Sequence, residues 1–82
     1  DPYYQEIKTT IDDLEPDQQV TLVALMWIGR GDFSMDELDD ALKEAEDNWH
    51  PNTADYLIGT PMLSDYLAEA LDLLESEDSG QA

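Results

Sequence analysis

MWIGRGDFSMDEL, Met26 to Leu38, admits three readings that exclude one another. It contains an Arg-Gly-Asp tripeptide, it ends like the second half of a calcium-binding EF-hand loop, and it reads as punctuation between two helices. The EF-hand reading fails on its ligands. With Gly31 as the turn glycine and Glu37 as the bidentate ligand, Met26, Ile28 and Arg30 stand where oxygen donors are needed. Recognition of Arg-Gly-Asp needs an extracellular setting and an exposed loop, and the sequence speaks only for the loop. The punctuation reading uses nearly every residue. Gly31 takes the left-handed position after a helix, Ser34 is the next N-cap, and Glu37 closes a capping box. Phe33 and Leu38 fall where a hydrophobic staple is formed. Loss of Ser34 or Glu37 is expected to cost about 0.5–2 kcal/mol, a large part of a total stability of about 5–8 kcal/mol.

Outward from this junction the chain reads as helices throughout. Upstream, Pro16 suits a first turn, and Val20, Leu22, Val23, Ala24, Leu25, Met26, Trp27 and Ile28 leave only Thr21 as a polar face. This predicts a central helix over about 16–29, surrounded by the others. Before it, Tyr4, Ile7, Ile11 and Leu14 form an amphipathic stripe over about 2–14. After the junction, Leu38, Ala41, Leu42, Ala45 and Trp49 form a narrow stripe with carboxylates around it. Asn52 or Thr53 caps a short helix through Tyr56 and Leu57 that stops at Gly59. Thr60 and Pro61 then offer a cap and a first-turn proline for a last helix with Leu63, Tyr66, Leu67, Ala70, Leu71 and Leu74 on its stripe. The fold class is therefore all-α, a compact bundle of four or five short helices in antiparallel or orthogonal hairpins. Residues 1–75 are read as one domain, and 76–82, without apolar periodicity, as a disordered acidic tail.

Charge narrows the function. Twenty-one acidic residues face three basic ones, for a net charge of −18. Nucleic acid and anionic membrane surfaces would be repelled. The chain has no cysteine, and its longest nearly unbroken apolar run, Val20 to Ile28, is too short to span a bilayer. A cytoplasmic protein is expected. It opens at Asp1 rather than Met, the form expected of a domain cut from something longer.

The catalytic inventory is thin. His50 is the only histidine, placed at a helix end before Pro51, where capping is its plain role. Asp47 and His50, three residues apart, make half of a carboxylate-histidine metal pair whose other half is missing. Carboxylates one turn apart, such as Asp36 and Asp40, read as solvated surface charge. No glycine-rich phosphate loop is present. Neither catalysis nor a cofactor nor a metal is expected. Arg30 reads first as a cation complementing the dipole at the end of the central helix and pairing with Asp32, and second as a partner contact on a rigid corner. Trp27 and Trp49 read as core, and an exposed one would signal an interface.

The runs LVALMWIGRGDF (Leu22–Phe33) and DYLIGTPMLSDYLAEAL (Asp55–Leu71) resemble a family of small bacterial domains of unknown function, about eighty residues long. The resemblance covers most of the chain and implies an all-helical bacterial module. It centres on Gly29-Arg30-Gly31-Asp32 and on Gly59-Thr60-Pro61, so those corners are where a shared activity would lie. The candidate interaction residues are Arg30, Asp32, Trp49, His50, Tyr56, Thr60 and Pro61.

Three accounts of the acidity follow. One is adaptation to high salt, where screening lengths fall to about 3 Å near 1 M. Another is an acidic DNA mimic that occupies a basic nucleic-acid-binding protein, with the third helix as its candidate face. The third is a protein-interaction or regulatory module that docks a partner or a second copy of itself as a homodimer. The third is the functional expectation, and the first explains the charge.

Overall fold

The apolar run of the central helix leaves it no face to give to water, so the other elements must cover it. A computed structural model describes the backbone of residues 2–80 and the side chains through Ser76. Among the described residues it holds five helices and a single 3-10 turn, with no strand: α1 Pro2–Asp12, α2 Pro16–Arg30, the turn Met35–Glu37, α3 Leu38–Asp47, α4 Thr53–Ile58 and α5 Leu63–Gly80. The all-α bundle is the observed class, and α2 is its centre. It packs along α5 on one side and α3 on another, and touches α4. It buries Val20, Val23, Ala24, Met26 and Ile28. Ala41 and Ala45 of α3, Ala54 and Leu57 of α4 and Ala70 of α5 complete the core. Alanines at these contacts let helix backbones approach closely at little side-chain entropy cost.

The closest approach lies at Gly29. A Cβ on this residue would overlap the carbonyl oxygen and carbonyl carbon of Tyr66 in α5. Only glycine admits that crossing. Gly29 is therefore a packing residue inside α2, whereas the sequence reading placed it in a junction.

The junction itself forms as the sequence grammar requires. Gly31 adopts φ 96°, its N–H reaches the Ile28 carbonyl at 3.1 Å, and Asp32 N–H reaches the Trp27 carbonyl at 2.9 Å. This is a Schellman closure. Ser34 N–H then donates to Glu37 Oε1 at 2.9 Å, the carboxylate arm of the capping box. Phe33, expected as a staple on Leu38, stacks against Trp27 with ring centroids 5.8 Å apart. A second box opens α2, where Glu15 N–H donates to Gln18 Oε1 at 3.0 Å.

Three expectations need correction. The first helix stops at Asp12, and Leu14 N–H bonds the Ile11 carbonyl in the turn that follows. α3 stops at Asp47, so Trp49 lies beyond the helix whose stripe it was expected to extend. Thr60 does not cap the last helix: its hydroxyl donates back to the Tyr56 carbonyl at 2.9 Å and so serves α4. Pro61 consequently sits in the turn before α5, and Met62 takes a left-handed φ of 63°. α5 runs to Gly80, and of the segment expected as a tail, Gln81 and Ala82 lie outside the described residues. An absent apolar stripe removes packing, and a helix already nucleated by packed leucines can propagate without it.

α1 is held differently from the rest. It packs on α4 and is fastened by polar contacts: Tyr4 Oη donates to Asp55 at 3.1 Å, and Lys8 lies 3.0 Å from Asp12 and 3.7 Å from Asp55. The Asp55 hydrogen bond raises the Tyr4 phenol above its ordinary value, and the Asp12 hydrogen bond does the same for Lys8.

Two glycine substitutions separate packing from conformation. Gly29→Ala should cost at least about 3 kcal/mol because two backbones must part. Gly31→Ala, whose Cβ would meet open space, should cost about 1–2 kcal/mol from left-handed strain. Urea unfolding of both variants measures the order, and equal midpoints would contradict the close α2–α5 crossing.

Candidate functional site

A glutamine organises the site, and sequence reading passed over it. Gln19 is 5% exposed. Its Nε2 donates to the Ile11 carbonyl at 2.8 Å, and its Oε1 accepts from the Trp49 indole N–H at 2.6 Å. One side chain thus joins the end of α1, the start of α2 and the segment after α3. A buried amide needs such partners, since an unmet polar group costs about 1–3 kcal/mol. The signal was present, because Gln19 stands four residues before Val23 and eight before Trp27 on an apolar face.

Anchored in this way, Trp49 forms one wall of a cavity of about 260 Å³. α2 supplies Val20, Val23 and Trp27, α3 supplies Ala45, Asn48 follows it as the C-cap, and the segment through α4 adds Trp49, His50, Thr53 and Tyr56. Trp49 is 38% exposed and Tyr56 40%. Trp49 is therefore not the core residue its helical spacing suggested. Both indole N–H groups are occupied, that of Trp27 by Tyr56 Oη at 3.0 Å and that of Trp49 by Gln19. What the two indoles can present to an occupant is π surface and C–H edges.

The polar groups at the rim are ordered by local bonds. Asn48 Nδ2 donates to the Glu44 carbonyl at 2.8 Å and closes the end of α3, the role expected of His50. His50 serves the next helix instead. Its carbonyl accepts from Thr53 Oγ1 at 2.6 Å, and its Nδ1 accepts from Asn52 N–H at 3.1 Å, which leaves Nε2 as the free ring nitrogen.

An adjoining cleft shares Trp27, Asn48 and Tyr56 with the cavity and adds Arg30, Asp32, Phe33 and Glu44. Here Arg30 Nε donates to Asp32 Oδ2 at 2.9 Å. The ends of the Arg-Gly-Asp tripeptide are thus bound to each other. This bond, followed by the proximity of the two charges, raises the arginine above its already high range. Five of the seven candidate residues accordingly meet across two connected hollows: Trp49, His50 and Tyr56 in one, Arg30, Asp32 and Tyr56 in the other. Arg30 and Asp32 do not share a hollow with His50. Thr60 lies apart, in a shallow depression with Ile7, Ile58, Met62 and Leu63, and Pro61 borders neither hollow.

Among the described residues, no three His, Asp or Glu side chains gather as a metal site, and no helix is long and apolar enough to cross a membrane. A family model described as "Protein of unknown function (DUF3775)" matches residues 4–76. No curated protein and no solved structure matches the chain.

Replacing Gln19 by leucine keeps much of the volume and removes both bonds. The expected cost is about 1–3 kcal/mol in urea unfolding. In a Trp27→Phe background, emission from Trp49 should also shift to the red as the indole loses its anchor. An unchanged midpoint and spectrum would show that the bridge does not hold the wall.

Proposed function

The chain belongs to the family described as Protein of unknown function (DUF3775), and from that premise we propose that it is a non-catalytic interaction module that seats a partner protein's segment between Trp27 and Trp49. The observation carrying this reading is that the chain's two tryptophans border one cavity while their N–H groups are already used within the fold. Tryptophan and tyrosine in a partly open hollow with polar edges have the character of binding hot spots. Val20, Val23 and Ala45 supply an apolar floor, and Asn48, His50 and Tyr56 supply orienting groups at its edge.

Charge argues against self-association as the main mode, since two copies would each carry −18. It is compatible with a saline setting: every described carboxylate is exposed, as a hydration shell of charge requires. An acidic decoy for a nucleic-acid-binding protein would work through the outer face of α3, and its affinity would fall steeply with salt. Docking in the hollow depends mainly on apolar contact and should change much less.

Selection of displayed random peptides against the intact chain tests this directly. Selected peptides should shift tryptophan emission, still bind at about 1 M salt, and bind at least about tenfold more weakly to Tyr56→Leu. Failure to recover any peptide that perturbs the tryptophans, or recovery only of peptides released by salt, would overturn the reading.

A further inference from the structure

We propose that the occupant is an arginine side chain of a basic partner segment, its guanidinium laid against the aromatic walls and its charge met by Glu44. This rests on the hollow being a docking site.

The first support is the composition of the walls. Trp27, Trp49 and Tyr56 border the same cavity, and neither indole has an N–H left to give. Aromatic faces attract cations through the ring quadrupole, tryptophan most strongly. A guanidinium adds planar stacking and is weakly hydrated, so it leaves water more readily than an ammonium. The apolar floor at Val20 and Val23 suits the methylene stem of arginine.

The second support is that the chain's own cations are committed. Lys8 pairs with Asp12 and Asp55, Lys43 with Asp47, and Arg30 with Asp32. In the adjoining cleft, Asp32 is neutralised by Arg30, whereas the Glu44 carboxylate has no hydrogen bond or ion pair among the described residues. The local charge left over is therefore negative, beside the aromatic walls. Across the whole chain, −18 steers a cationic segment inward and an acidic one away.

The test uses the intact chain and two short peptides, identical and otherwise neutral, one with a central arginine and one with citrulline. Citrulline matches arginine closely in shape and carries no charge. Binding is followed by tryptophan emission at about 0.15 M ionic strength, where the screening length is about 8 Å. The arginine peptide should bind about tenfold more tightly than the citrulline peptide. Tyr56→Leu should remove most of that preference and Tyr56→Phe should keep it. Glu44→Gln should weaken the arginine peptide by about two- to fivefold and leave the citrulline peptide unchanged.

Equal binding of the two peptides overturns the proposal, as does no binding of the arginine peptide up to about 1 mM. An arginine preference that survives both Tyr56→Leu and Glu44→Gln also overturns it, because the attraction would then belong to the acidic surface at large. Selected peptides that occupy the hollow without arginine would overturn this inference and leave the docking reading standing. The absence of any peptide in the hollow removes the docking reading first.

Discussion

The backbone of α2 meets the backbone of α5 at Gly29, where the Tyr66 carbonyl occupies the space a side chain would need. That crossing lets an 82-residue chain enclose a helix as apolar as α2 with so little material. A small domain has little apolar area to spend, since burial returns roughly 25 cal/mol per Å² and ordering each residue costs on the order of 1–2 kcal/mol. Close helix approach raises the yield of contacts per residue, and small side chains at Ala24, Ala41, Ala45, Ala54 and Ala70 extend the same principle around the bundle. The α2 position is then set firmly enough for Trp27 to hold Phe33 on one side and Tyr56 through its N–H. The site is thus a consequence of the crossing.

Much of this was legible in the sequence because it was written in local rules. The junction from Ile28 to Glu37 followed from Gly31, Ser34 and Glu37 alone, since caps are made within a few residues. Helix α2 followed from its uninterrupted apolar run. The contacts that escaped are those whose partners are distant in the chain. Gly29 looked like part of a junction because its reason lies in Tyr66, and Gln19 went unread because its partners are Ile11 and Trp49. Trp49 fitted the spacing of α3, yet the helix ends two residues earlier, where Asn48 closes it. Spacing reports which face a residue would occupy, and says nothing of whether the helix continues that far.

Acidity and site play separate parts. The described carboxylates lie outside the core on every helix, so the charge does not build the fold and opposes it through self-repulsion. The three cations answer this only locally, each to a carboxylate within reach. Within that acidic surface, the hollow between the tryptophans is an area of apolar and aromatic lining.

Joined at Gly29, α2 and α5 should form one unit on which α3 and α4 depend, with α1 fastened to it by Tyr4, Lys8 and Gln19. Native-state hydrogen exchange, read residue by residue, tests it most directly. Amides of Val23 to Ile28 and of Tyr66 to Ala70 should open together with the highest free energy, equal to that of global unfolding, while α1 amides exchange through a smaller opening. Independent opening of α2 and α5, or protection of α1 equal to that of α2, would contradict it.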